Sequence, residues 1–397
     1  MDIFEKTRAL FHLPEGVTYL DGNSLGPLPV AAQERVDAML RDQWGEMLIT
    51  GWNKAGWMEQ PSRVGDRIAR LIGAPAGSVV TGDTLSIKVY QALASALELN
   101  PGRKVILSDS GNFPSDLYMA SGLIRTLDRG LELKTPAPDT VAAHLDESVA
   151  VLMLTQVDYR TGRMHDMAAL TRAAHAVGAL VIWDLAHSAG AVPVDLAGCD
   201  ADFAVGCSYK FLNSGPGGPA FIYVNPKHAA QVRPALSGWL GHEQPFAFDP
   251  DYRPGAGIER MRVGTPPVIQ MAALEAALDI WDMVDIAAVR ARAIELSDLF
   301  ISRVEADCPE LTLVSPRDPA MRGSQVAFAH PEGYAIMQAL IAHGVIGDFR
   351  APDILRFGIT PLYTGPHDII RAASTLHKVM EERLWDWDAY RVRARVT

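Results

Sequence analysis

The chain has 397 residues, 48% hydrophobic and 21% charged, and a formal net charge of −11. Its length suits two domains, and its composition is that of an ordinary soluble globular protein. The acidic balance excludes nucleic acid and an anionic membrane surface as main partners and leaves room for a local basic pocket.

The opening, MDIFEKTRAL, carries charges where a signal peptide needs an apolar core, so no leader is expected. Segment 18–29, TYLDGNSLGPLP, reads as a short extended stretch followed by turns at Asp21-Gly22-Asn23, Gly26-Pro27 and Pro29. Asn23 and Ser24 there either donate to a ligand or simply make the turn. From 30 to 48 the spacing predicts a helix that buries Val36, Leu40, Trp44 and Met47. The loop at 51–57 sets Trp52 and Trp57 among glycines, as a stacking wall for an aromatic substrate or as a subunit contact. A second helix is expected over 62–72.

Val79-Val80 leads into Thr81-Gly82-Asp83-Thr84-Leu85-Ser86, which opens a helix to about Leu99. Hydroxyls and N–H groups at a helix start are a ready phosphate site, or an N-cap, or both. A strand over 104–108 delivers Asn112-Phe113-Pro114-Ser115-Asp116, an aromatic ring with a carboxylate close by. Another buried strand, 149–156, carries Thr155 near its end, and Asp166 caps a helix over 167–177. Strand and helix alternate, which predicts a mainly parallel sheet wrapped by helices.

The stretch 179–219 organises the rest. Its first run, 179–183, stops at Asp184 as a buried parallel strand would, and the run 201–206 leads into Ser208-Tyr209-Lys210 and a glycine-rich turn. A carboxylate and a lysine therefore each follow a strand, where ligands of open α/β sheets bind. Such a lysine can form a Schiff base and such an aspartate can hold a positive ring nitrogen, as pyridoxal phosphate (PLP) requires. Singly, Asp184 reads as a loop cap and Lys210 as a surface charge. With His187 nearby and glycines after the lysine, they read together as a cofactor site.

A strand follows over 218–224, then an irregular stretch, 234–267, that carries Trp239 and Gly264-Thr265-Pro266-Pro267. Loops this long are usually functional or interfacial. Two long helices, 268–284 and 285–306, precede a smaller α/β region. There Arg350 and Arg356 lie near or within apolar strand sequence, paired either with a substrate carboxylate or with a local acid. The cysteines, Cys199, Cys207 and Cys308, show no metal or disulfide spacing, and the histidines form no HExxH pair. No metal is expected, a reducing cytoplasm is the expected compartment, and no run approaches the ~20 apolar residues of a membrane helix.

Several motifs carry a family resemblance: DGNSLGPLP at 21–29, TLS at 84–86, NFPSD at 112–116, TG at 161–162 and WDLAHSAG at 183–190. They continue through SYKFLNSGPGG at 208–218, GW at 238–239, GTPP at 264–267 and LRFGITPLYT at 355–364. The chain resembles the kynureninases, PLP-dependent hydrolases of fold type I, the aspartate-aminotransferase-like class. The resemblance implies a large domain with a mainly parallel sheet and a smaller C-terminal α/β domain. The expected division is 1–50 as an N-terminal segment packing with the small domain, 51–284 as the PLP-binding domain and 285–397 as the small domain.

The resemblance also implies roles. Lys210 would hold PLP and move protons, Asp184 would pair with the pyridine nitrogen beside His187, and Phe113 would stack on the ring. Pro114, Ser115 and Asp116 belong to the same cofactor loop, with Thr155 near the ring edge. Leu85, Ser86 and Tyr209 would bind the phosphate, helped by Trp239 and Thr265 from the other subunit of a homodimer with shared active sites. Tyr209 is also the candidate acid or base at the substrate carbonyl. Arg356 would clamp the α-carboxylate of the amino-acid substrate, with Asn23, Ser24 and Trp52 as further contacts. The implied reaction cleaves the Cβ–Cγ bond of L-kynurenine to give anthranilate and L-alanine. Thr265 stands where animal members that favour the 3-hydroxylated substrate have asparagine, which points to plain kynurenine. Rival readings are a cysteine desulfurase or selenocysteine lyase, an aminotransferase, and a non-catalytic PLP-binding regulator. The desulfurase reading lacks a suitable cysteine loop around Cys308. The basic stretch ending at Arg395 is too short for the DNA-binding module a regulator needs.

Overall fold

The apolar runs 149–155, 180–184, 203–207 and 220–224 form the middle of a seven-stranded sheet, buried on both faces. The computed structural model describes residues 2–393, so Arg395 lies outside the described residues. Across the sheet the order is Val79–Thr81, Ala220–Val224, Phe203–Cys207, Leu180–Asp184, Val149–Thr155, Val105–Leu107 and Glu132–Lys134. Side chains alternate between faces as a pleat requires. Leu152, Leu154 and Trp183 enter one core, and Val151, Met153 and Ile182 enter the other.

The strands run parallel except Ala220–Val224, which is antiparallel to both neighbours. A short glycine-rich return after Lys210 permits only that direction, because a parallel return needs a crossover. Its consequence is positional. The start of this strand, with Gly217 and Gly218 before it, lies at the same sheet edge as Asp184 and Lys210.

A second, four-stranded antiparallel sheet is built from Thr312–Leu313, Gln325–Ala329, Ile354–Gly358 and Asp348–Arg350, in that spatial order. Helices Ile286–Asp307, Gly333–Ala342 and Pro366–Glu381 close its core. The N-terminal arm touches both cores. Thr18–Tyr19 pairs with Val345–Ile346 and Leu20 enters the smaller core, whereas Phe11 packs into the larger.

Two local expectations fail. The helix expected over 30–48 is α-helical only over Val30–Ala38 and continues as a π-helix over Met39–Met47. Wider winding slips the 3.6-residue stripe out of phase, so Met39 is buried while Leu40 and Trp44 are 38% and 55% exposed. The supposed loop at 51–57 begins as a helical turn, Gly51–Lys54. Trp57 is buried there, and Trp52 meets it edge-on at 6.1 Å.

Candidate active site

A cavity of about 470 Å³ opens where the ends of the large-sheet strands meet the small sheet. Lys210 lines it, with Nζ 2.9 Å from His187 Nε2. Burial pulls the Lys210 ammonium below its ordinary range, against the raising effect of Cys207 and Asp184. His187 is pushed well down by burial and by Lys210, and its Nδ1 lies 3.1 Å from Gln325 Oε1. Lys210 Nζ stands 5.9 Å from the ring centres of both Phe113 and Tyr209.

Asp184 closes the floor. Its Oδ1 accepts the Ala186 N–H at 2.7 Å, and Oδ2 lies 3.4 Å from Thr155 Oγ1, which in turn is 2.5 Å from Asn112 Oδ1. Asp116, fully buried, lies against Asp184, and the two carboxyls share a side-chain hydrogen bond. Two buried carboxyls this close cannot both ionise cheaply. Burial raises both carboxyls, Asp116 the farther with Asp184 as its next cause, while the Ala186 N–H and then Lys210 pull Asp184 back down, so the proton of the pair is assigned to Asp116. Phe113 presents a ring that is 41% exposed, braced edge-on by Tyr159 at 5.1 Å. Pro114 does not line the cavity. It opens the helix Pro114–Leu127, where its missing N–H is not needed.

At the other end lies the start of the helix Leu85–Leu99. No side chain caps it, so its first N–H groups are available to an anion. Thr84, Leu85, Ser86, Ser115, Gly217 and Gly218 line this end, and Ser86 Oγ lies 3.3 Å from Ser115 Oγ. The 21–29 turn packs directly on the lysine loop: Gly26 N donates to Tyr209 O at 2.8 Å, and a Cβ at Gly26 would collide with Asn213 and the Lys210 carbonyl.

The small sheet supplies a positive wall. Arg356, 1% exposed, is held by Asp348 through Nε–Oδ1 at 2.7 Å and a second Nη2–Oδ2 bond, and it also reaches Ser24 Oγ at 2.8 Å and the Tyr159 carbonyl. Arg350 meets the same Asp348 at 2.6 Å. The local-acid reading of Arg356 is therefore real, yet both guanidiniums still line the cavity. Asp21 beside them is pushed up to about 7, by burial first and then by Asp348. Asn23 is fully buried on the cavity wall, with neither amide atom bonded to a described residue. An unpaired buried amide is costly, which suits a ligand contact.

The structure thus brings Lys210, Tyr209, Asp184, His187, Thr155, Phe113, Ser115, Leu85, Ser86, Arg356, Asn23 and Ser24 to one cavity, with Asp116 directly behind Asp184. Within one chain it does not bring Trp52, Trp239 or Thr265 there. Trp52 is drawn into the Trp57 cluster, Trp239 is 39% exposed beside Phe246, and Thr265 is exposed on its loop. Sequence reasoning missed Asp348, Tyr159, Gln325 and Asn112. A hairpin reading of 348–358 had the signal for the first, because Asp348 and Arg356 face each other across the strand pair.

The residues fit PLP: a half-buried amine, a buried carboxylate for the ring nitrogen, a bare aromatic face, and an uncapped helix start for the phosphate. The comparisons agree. Residues 289–376 match the family model described as the kynureninase C-terminal domain. The chain is 49% identical over 403 residues to a kynureninase from Pseudomonas fluorescens, covering 100% of this chain and 97% of that one. Its fold is similar to that of a cysteine desulfurase from Thermococcus onnurineus, with a TM-score of 0.82, 18% identity, and 96% and 99% of the two chains covered. It is also similar to a C-DES variant with glycine covalently linked to its PLP cofactor, with a TM-score of 0.79, 20% identity, and 93% and 98% covered. Similarity at that identity shows the fold, fold type I. Near-50% identity over the whole length shows more: this chain belongs to the kynureninase family.

Proposed function

We propose that the chain hydrolyses L-kynurenine to anthranilate and L-alanine, with PLP held on Lys210. The observation that carries this is one cavity joining Lys210 and Asp184 at large-sheet strand ends to the Arg350–Arg356 wall of the small sheet. Bound there, PLP supplies the electron sink for the pair left when the substrate loses its α-proton. Asp184 keeps the ring nitrogen protonated, and protonated Asp116 donates to Asp184 and holds its charge in place. Phe113 packs on the ring face; Leu85, Ser86 and Tyr209 hold the phosphate. Lys210, with a depressed pKa, takes and returns the α-proton. Cys207 and burial hold the Tyr209 phenol above its usual range, so it stays protonated and donates to the substrate carbonyl oxygen as water adds. Arg356 takes the α-carboxylate, and Asn23 and Ser24 orient the same end.

The desulfurase reading lacks its nucleophile. Cys308 is buried in the small-sheet core, and burial, then Glu310 and Asp307, push its thiol up to about 12. Cys207 touches the cavity, but burial raises its thiol too. The deciding experiment is an absorption spectrum of the purified protein with PLP, followed by L-kynurenine. Anthranilate fluorescence appearing at a rate set by enzyme supports the reading. Sulfide from cysteine, or amino transfer to 2-oxo acids without anthranilate, overturns it.

Arg356→Lys is expected to raise KM ~10-fold or more with a smaller change in kcat, because one ammonium cannot hold Asp348, Ser24 and the Tyr159 carbonyl as the guanidinium does and still offer a donor to the carboxylate. An unchanged KM moves the clamp to Arg350. The working unit we assign is a cytoplasmic homodimer. Exposed apolar side chains support it, Leu40, Trp44, Leu48 and Ile49 in one region and Trp239, Phe246 and Phe248 in another. No helix among the described residues is long and apolar enough to cross a membrane. In that dimer Trp239 and Thr265 reach the partner's cavity and Trp52 serves the aromatic end of the substrate. Thr265→Asn is then expected to raise kcat/KM for 3-hydroxykynurenine relative to kynurenine, since an amide can bond the extra hydroxyl. An unchanged ratio confines that loop to the phosphate and the interface.

A further inference from the structure

We propose that Gln325 is a positioning residue that fixes the tautomer of His187 and thereby keeps the Lys210 lone pair free to take the cofactor's aldehyde. The inference rests on the reading of Lys210 as the PLP-bearing lysine. Gln325 begins a small-sheet strand and is 1% exposed. Its amide nitrogen donates to the Asp158 and Tyr159 carbonyls, both at 3.0 Å. Carbonyls only accept, so the amide cannot turn over, and its oxygen faces His187 Nδ1 at 3.1 Å. That oxygen also only accepts, so Nδ1 carries the ring proton. The ionisable groups acting on the ring are Lys210 from its loop and Arg356 and Arg350 from the small sheet. Burial, with the two guanidiniums, keeps the imidazole neutral beside the neutral form of Lys210 that burial favours. Nε2 is therefore a lone pair, 2.9 Å from Lys210 Nζ.

A neutral primary amine has two N–H groups and one lone pair. Facing an acceptor, Lys210 gives an N–H to His187 and keeps its own pair for the aldehyde carbon. Facing the other tautomer, it would accept Nε2–H and its pair would be tied. In capture that pair forms the carbon–nitrogen bond while both amine protons leave with the aldehyde oxygen as water. No oxidant or reductant is needed. The strand that carries Gln325 pairs with the one that carries Arg356, so the small sheet both binds the carboxylate and aims the lysine.

The rate at which cofactor-free protein captures added PLP, read by visible absorbance, tests this without turnover. Gln325→Met is expected to slow capture ~10-fold or more in the wild-type background and less than ~2-fold in a His187→Asn background, because the amide acts through the ring. Equal slowing in both backgrounds overturns the proposal and leaves Gln325 as a pin for the Asp158 turn. Unchanged capture in Gln325→Met overturns it as well. Where Gln325→Met does not fold by circular dichroism, Gln325→Asn withdraws the same carbonyl by one methylene and carries the same cycle. Wild-type protein that captures no PLP sinks the Lys210 reading itself, a separate failure.

Discussion

Lys210→Ala is expected to abolish turnover while the fold persists. Among the described residues no other lysine lines the cavity to replace it: the guanidiniums of Arg350 and Arg356 are tied to Asp348, and Lys88 is buried on Asp83, Gln91 and the Met261 carbonyl. Alanine leaves the strand Phe203–Cys207 and its loop hydrogen bonds in place, so the thermal midpoint should move little. Borohydride reduction of the wild-type protein should fix PLP on Lys210 and nowhere else. Peptide mapping that finds the label on a different lysine would end this assignment.

Asp184→Asn is expected to lower kcat by ~10²-fold or more with both proteins saturated in PLP. A neutral amide cannot keep the pyridine nitrogen protonated, so a preorganised charge is lost where the transition state needs it. The neighbouring carboxyl gives the contrast. Asp116 already carries a proton, and Asp116→Asn replaces one neutral donor by another, so its loss should stay within ~10-fold. Ser86→Ala removes one of several phosphate contacts and belongs with the mild group. Comparable rates for Asp184→Asn and wild type, or a larger loss in Asp116→Asn than in Asp184→Asn, would reverse the roles of the two carboxyls.

Much of this site is legible because its signals are local. A buried strand that stops at a charge needs only its own apolar run and its last residue, and both Asp184 and the Tyr209-Lys210 pair announce themselves that way. Asp166 as an N-cap is equally local, and its Oδ1 accepts the Ala169 N–H at 2.9 Å. The mainly parallel sheet follows from alternation of strand and helix. The motifs between 21 and 364 carry the family, because each fixes a turn or a strand end whose backbone has few alternatives.

The rest depends on contacts the chain makes at a distance. His187 and Gln325 are 138 residues apart, and nothing near either one says that they meet. Trp52 reads as well for a substrate wall as for a core, and only the packing of Trp57 against Met39 and Ala272 draws it from the cavity of its own chain. The π-helix at Met39–Met47 defeats a 3.6-residue stripe because its wider winding carries each residue to a different face from the one that spacing predicts. Arg356 pairs with Asp348 because two strands align in one register, and a shift of one residue would send the guanidinium to the other face. Sequence by itself determined which segments are buried strands and helices and which charges end them, since period and burial are written residue by residue. Tertiary structure alone decided which of those charges share a cavity, because that choice belongs to packing between segments far apart in the chain.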